Sequence, residues 1–144
     1  MADILAALLP KPRREMIFIL PDVNVQQCCD LMVSNDIGAL VVWDESNIQG
    51  IVSERDLVRK CLFRRCDAEK IKASDVMCSS ISILPIEATV EKAISTITST
   101  KRRHILVEEE GKVVAILSQG DILFHMLQTM QQTVDQLERY ISNG

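Results

Sequence analysis

The sequence predicts a mixed α/β (α+β) fold: two tandem β-α-β-β-α repeats with pseudo-two-fold symmetry forming one module, followed by an extended C-terminal helix. Three observations predict it. The string Gly50-Ile51-Val52-Ser53-Glu54-Arg55-Asp56 returns as Ala115-Ile116-Leu117-Ser118-Gln119-Gly120-Asp121, at an offset of 65 residues. The pairs Val25/Val90, Val42/Val107, Ile51/Ile116 and Leu62/Leu127 keep that offset, so each intervening turn holds its length in both halves. Beyond the second copy, Leu123, Leu127, Met130, Val134, Leu137 and Ile141 follow at spacings of 4, 3, 4, 3 and 4, a heptad seam.

Taken in order, residues 1–15 open with Ala2-Asp3-Ile4-Leu5, a short helical pattern that Pro10 and Pro12 bring to an end. Ser74-Asp75-Val76-Met77 has a similar acidic-then-apolar form, so each repeat is expected to carry its own lead-in. Residues 16–20 and 80–84 are short apolar strand candidates closed by Pro21 and Pro85. Helices follow: Val25, Cys28/Cys29, Met32 and Val33 recur at helical spacing after Asp22 and Asn24, and Val90, Ala93/Ile94 and Ile97 do so after Thr89. Residues 38–43 and 48–52 flank the turn Asp44-Glu45-Ser46-Asn47 as a hairpin, answered by 104–107, the turn Glu108-Glu109-Glu110-Gly111, and 113–117. These elements divide the chain into a first repeat with its lead-in at 1–66, a polar linker at 67–73, a second repeat at 74–128 and a helical extension at 129–144. The extension continues a helix from Ile122 to about Ile141, and its apolar seam calls for a partner, so the later turns are expected to form a subunit contact.

Length and composition set the class. A chain of 144 residues with 47% hydrophobic content can bury a core, and its longest apolar runs, 16–20 and 37–43, fall far short of a membrane span. With no basic leader at Met1-Ala2-Asp3-Ile4, the expectation is a cytoplasmic protein without membrane contact. A net charge of −4 argues against nucleic acid as a partner. Five cysteines without a C-x-x-C pair point to reduced thiols, with at least one of Cys28 and Cys29 a small core residue. No catalytic constellation or metal-ligand set is present: Ser53 and Asp56 have no base beside them, and neither His104 nor His125 has an adjacent nucleophile.

The Ser-x-x-Asp motif is first a capping box, with Ser53 or Ser118 as N-cap and Asp56 or Asp121 reaching back to the N-cap amide. A helix start with a hydroxyl is also a natural phosphate site, and a carboxylate one turn in can accept hydrogen bonds from vicinal sugar hydroxyls. Two copies at strand-to-helix junctions favour a ligand.

The duplicated pattern, the Gly-Ile-Val-Ser-Glu-Arg-Asp string and Arg103-His104-Ile105-Leu106-Val107 resemble the cystathionine-β-synthase (CBS) domain pair, or Bateman module, from about residue 3 to 127. The end of the chain, from Leu137 on, resembles small bacterial stand-alone CBS-pair proteins. The resemblance implies two clefts between the repeats that bind adenosine nucleotides as regulatory ligands, AMP foremost, with ADP, ATP or NAD(H) as alternatives, and no required cofactor. It implies that Asp56 and Asp121 hold ribose hydroxyls and that Ser53 and Ser118 lie close to phosphate. By position, Phe18, Ile19, Ala39 and Ile83 are the adenine contacts, with Gly38 and Ala39 leaving room for the base. Arg55, Arg102, Arg103 and His104 are the best phosphate ligands, and Arg103 and His104 rank ahead of Arg102. Lys11, Arg13, Arg14, Arg64 and Arg65 are expected to be solvated charges. Repeat one carries Gly38-Ala39 and Arg55 where repeat two carries Arg103-His104 and Gly120, so the two clefts should differ. The resemblance further implies a homodimer built through helix faces and the C-terminal helix, signalling by conformational change to the dimer or to a separate effector protein. The competing reading is a structural or interaction protein that binds no ligand and works through its heptad-patterned tail.

Overall fold

The computed structural model describes residues 3–143. A 3-10 turn at Leu5–Leu8 is followed by β1 (Phe18–Ile19), α1 (Val25–Asn35), β2 (Ala39–Trp43), β3 (Ile48–Ser53) and α2 (Glu54–Leu57), which a π-helical turn extends through Val58–Leu62. Then come α3 (Ala73–Val76), β4 (Ile83–Pro85), α4 (Val90–Thr100), β5 (His104–Glu109), β6 (Lys112–Ser118) and α5 (Gln119–Asn143). Both predicted sheets are present. In each, the first strand runs parallel to the middle one and the last runs antiparallel to it, in the orders β1-β2-β3 and β4-β5-β6.

The helices begin and end as their sequences direct. Asn24 caps α1 by accepting from the Gln27 amide at 2.8 Å while the Gln27 side chain accepts from the Asn24 amide at 3.0 Å. Thr89 caps α4 through the Lys92 amide at 3.1 Å. Each such cap contributes about 1 kcal/mol. Both helices close on a left-handed residue, Asp36 (φ 52°) and Lys101 (φ 57°), again 65 apart.

Alternation along the strands aims one face of each sheet at a core. Ile19, Leu40, Val42 and Val52 pack with Val25, Cys28 and Met32 of α1 and with Cys61, Ala73 and Val76. Ile105, Val107 and Leu117 pack with Val90, Ala93 and Ile97 of α4 and with Leu5, Leu9, Ile86 and Ile122. Truncating any of the larger of these side chains to Ala costs about 2–5 kcal/mol. Cys28 is buried and Cys29 exposed, since successive residues of a helix point about 100° apart, and burial pushes the Cys28 thiol up to about 11. Val33, placed on the apolar stripe by its spacing, is exposed instead.

The lead-ins depart from the expected allotment. One compact unit comprises residues 15–81, and the other joins Met1–Arg14 to Ser82–Gly144, so each lead-in packs on the other repeat's elements. Hydrogen bonding supplies the reason. The first amides of a helix have no partner within it, and Val25 N–H of α1 donates to Ile71 O at 2.8 Å while Gln26 N–H donates to Ala68 O at 3.0 Å. Val90 N–H of α4 donates likewise to Asp3 O at 2.9 Å. Bridges Asn24↔Lys72 and Ile4↔Thr89 complete each arrangement. The expected linker at 67–73 is therefore structural, and the lead-ins correspond at an offset of 68 (4 to 72) rather than 65.

The two hairpins differ. Asp44 accepts from the amides of Ser46 (3.0 Å) and Asn47 (2.7 Å), which holds its carboxyl down at about 2. The second turn is tighter than expected: Glu110 (φ 53°) and Gly111 (φ 78°) form it alone, because positive φ at both positions matches the strands' twist. Glu108 and Glu109 thereby join β5, opposite Val113 and Lys112. Arg13, expected to be solvated, forms a two-pronged ion pair with Glu109, which lowers the Glu109 carboxyl and ties the N-terminal segment to β5.

Candidate functional site

Each Ser-x-x-Asp motif lies where the last strand of a sheet turns into a helix, and each forms the capping box its spacing predicts. In the first, the Asp56 Oδ2 accepts from the Ser53 amide and from the Ser53 hydroxyl, both at 2.9 Å, and the Asp56 amide donates to Ser53 Oγ at 3.2 Å. In the second, the Asp121 Oδ2 accepts from the Ser118 amide at 2.8 Å and the Asp121 amide donates to Ser118 Oγ at 3.0 Å. A further bond closes each junction onto the middle strand: Glu54 N–H donates to Gly38 O at 3.0 Å, and Gln119 N–H to Arg103 O at 2.8 Å.

Strand register decides which candidate residues share a surface with these motifs. Ala39 pairs with Ser53, and Phe18 with Val41, so Phe18, Ala39 and Ser53 lie on the face of the sheet opposite the helical core. His104 pairs with Ser118 and Ile83 with Leu106, which places Ile83, His104 and Ser118 on the equivalent face of the other sheet. Arg55 and Asp56 follow on the first turn of α2, Asp121 on the first turn of α5, and Gly38 and Arg103 immediately precede β2 and β5. Arg102 is half-buried in the connection from α4 to β5.

Ile19 does not join them. One residue along β1 from Phe18, it points to the opposite face and is buried in the core among Val25, Cys28 and Met32. A strand alternates, and adjacent residues cannot both line one surface.

Two neighbours were not singled out from sequence. Trp43 packs its ring on Phe18 with centroids 4.4 Å apart, and its signal was available, since Ala39, Val41 and Trp43 are two apart. Lys60 is the more consequential. Its ammonium lies 3.2 Å from Asp56 Oδ1 and donates to Val76 O at 3.0 Å. Residues i and i+4 meet on a helix, so the pairing was legible too. In the second repeat the equivalent residue is His125, which instead pairs with Asp3 at 2.8 Å.

The two carboxylates therefore differ electrostatically. Asp56 is half-buried and bonded through both oxygens, whereas Asp121 is exposed and uses Oδ2 alone in the bonds described. An ionised carboxylate has about four acceptor positions, so Asp121 keeps more capacity for an incoming hydroxyl. Among the described residues, no group of three His, Cys, Asp or Glu side chains could hold a metal ion. No helix among them is long and apolar enough to cross a membrane.

The CBS domain model matches this chain twice, over residues 2–62 and 73–128. The chain belongs to the CBS domain family. CBS pairs are in general regulatory, nucleotide-binding modules. The chain is 26% identical over 128 residues to the mitochondrial CBS domain-containing protein CBSX3 of Arabidopsis thaliana; the match covers 85% of this chain and 62% of that protein. In structure it resembles the CBS-domain containing protein of Agrobacterium tumefaciens, with a TM-score of 0.76 and 26% identity, covering 86% of this chain and 99% of that one. A hexameric CBS-CP12 protein from bloom-forming cyanobacteria shares the fold, with a TM-score of 0.76 at 22% identity, over 86% of this chain and 72% of that one.

Proposed function

We propose that this CBS pair senses adenosine nucleotides, AMP foremost, with ATP or NADH as alternatives, and that occupancy is transmitted to a second copy of the chain or to a separate effector protein. The observation that carries the proposal is the repeated junction. Twice, a Ser-x-x-Asp carboxylate stands at a sheet end beside a strand residue, Ala39 or His104, on the face that also bears Phe18 or Ile83. A carboxylate is suited to vicinal ribose hydroxyls, an apolar strand surface to a base, and Arg55, Arg103 and His104 to phosphate oxygens. The sites are unequal: the Asp121 junction binds first, because a nucleotide at Asp56 competes with Lys60. A ligand regulates only by preferring one arrangement of the protein over another, so its effect is limited to that difference in affinity.

A homodimer is part of this reading. Val58 and Leu123, and Leu62 and Leu127, are equivalent residues 65 apart, and all four are exposed apolar side chains. Repeated apolar surface of this kind favours association with a like chain. Calorimetric titration of the full chain with AMP, ATP and NADH tests the ligand, and no heat with any of the three rejects it.

A purely structural role is the second reading, favoured by the tail. The six seam residues of α5 are 46–76% exposed, so much of the seam's apolar surface is left open to a partner. On that reading nucleotides leave the melting temperature unchanged, since only a ligand of the folded state raises it.

A further inference from the structure

Among the described residues, two of the surfaces that carry exposed apolar side chains differ in charge, the first cationic and the second net negative. On the first, Val58, Leu62 and Phe63 are 54%, 73% and 81% exposed, and Arg59, Arg64 and Arg65 surround them. Lys60, the remaining cation of this stretch, is committed to Asp56. Among the described residues no ion pair involves those three arginines. On the second, the last turns of α5 present Met130, Val134, Leu137 and Ile141 with Asp135, Glu138 and Arg139 beside them, two carboxylates against one guanidinium. Ile122 is the helix's one buried residue, so the turns from Met130 on stand outside the core.

We propose that the C-terminal half of α5 from one copy seats on the 58–65 surface of a second copy, each chain giving its helix and receiving its partner's. This rests on the homodimer reading above and adds the receiving surface. Charge complementarity selects the occupant. Asp135 and Glu138 are three residues apart, hence on one side of the helix and next to Val134 and Leu137. Seating the apolar stripe on Leu62 and Phe63 therefore brings two carboxylates, against the single cation Arg139 of that helix, to a surface with three guanidinium groups, which carboxylates match in bidentate fashion. A tail-to-tail coiled coil uses the same seam but is less well matched. Its flanking heptad positions hold Gln131, Thr133, Glu138 and Tyr140, which offer no complementary ion pairs, and it leaves Leu62 and Phe63 in water.

Sedimentation equilibrium of the full chain tests this with charge reversal. The variant Arg59→Glu/Arg64→Glu/Arg65→Glu and the variant Asp135→Lys/Glu138→Lys are each expected to raise the dimer dissociation constant at least about tenfold, because like charges then face each other. Combined in one chain, the two sets restore it to within about threefold, a recovery that misfolding cannot imitate. A dimer that ignores both reversals but is lost in Leu137→Glu overturns the inference in favour of tail-to-tail pairing and leaves the homodimer standing. A wild-type chain that stays monomeric throughout the micromolar range overturns both.

Discussion

Substituting Gly50 by Ala probes the segment that the linker delivers to the first sheet. Gly50 lies in β3, and beside it residues 77–78 run along the strand's outer edge, where Ile51 N–H donates to Cys78 O at 3.0 Å and Cys78 N–H donates to Ile51 O at 2.8 Å. A Cβ on residue 50 would stand 2.6 Å from the Cys78 carbonyl oxygen and 3.0 Å from Met77 Sδ. The oxygen belongs to backbone held by two hydrogen bonds, so it cannot swing aside as a side chain would. Relief requires the segment to retreat, weakening both bonds at about 1 kcal/mol each and loosening the buried Ala73 and Val76 behind them. The alanine recovers about 0.4–1 kcal/mol by restricting the unfolded chain, leaving a net destabilisation of about 1–3 kcal/mol. Urea unfolding measures it. The second repeat supplies the control, because its equivalent residue is already Ala115, and no backbone hydrogen bond from the N-terminal segment reaches β6 there among the described residues. Ala115→Gly should therefore cost no more than about 1 kcal/mol. A Gly50→Ala protein as stable as wild type would refute the close packing of 77–78 on β3.

Further outcomes follow from the ionisable groups. Lys60→Met frees Asp56 Oδ1, and if that carboxylate receives a ribose, nucleotide affinity at this junction rises by up to about fivefold; calorimetry of an Asp121→Asn background isolates it. Native thiol titration should modify Cys29 and Cys66 quickly and Cys28 and Cys61 only on unfolding, since the first two are exposed and the latter two buried. The Cys28 thiol lies above its ordinary value of 9.0, at about 11, so its contribution to stability is full below pH 9 and is lost as pH rises to about 11. Urea midpoints measured across that window should fall less steeply for Cys28→Ala than for wild type. Asp44 is shifted the other way, to about 2, so its contribution is present above about pH 4 and lost as pH falls through 2. Asp44→Asn, which keeps an acceptor for the turn amides, should flatten the stability profile over that acidic range.

Much of this fold could be read from the chain because its signals are local. Asn24 and Thr89 as caps and the alternation of Leu40 and Val42 rest on neighbouring residues, the 65-residue offset shows the same local pattern twice, and each element they predict is present. What was not legible depends on distant partners. Nothing near Val25 or Val90 says that Ile71 and Asp3 will accept their amides, so the exchange of lead-ins could not be seen. Arg13 looks solvated until the second hairpin proves to turn on two residues and brings Glu109 into β5. At the candidate site what the sequence reading left out was local as well. The opposite facing of Ile19 and Phe18 and the pairing of Lys60 with Asp56 follow from strand and helix periods, and were available in the sequence.

On the proposed function, the two Ser-x-x-Asp junctions receive adenosine nucleotides unequally. Isothermal titration of AMP into wild type, Asp56→Asn and Asp121→Asn measures it, because asparagine can keep the cap while removing the charge that faces the ligand. Two binding events are expected in wild type, with the tighter lost in Asp121→Asn and the weaker lost in Asp56→Asn. Unchanged isotherms in both variants would contradict it and leave the two motifs as helix caps alone.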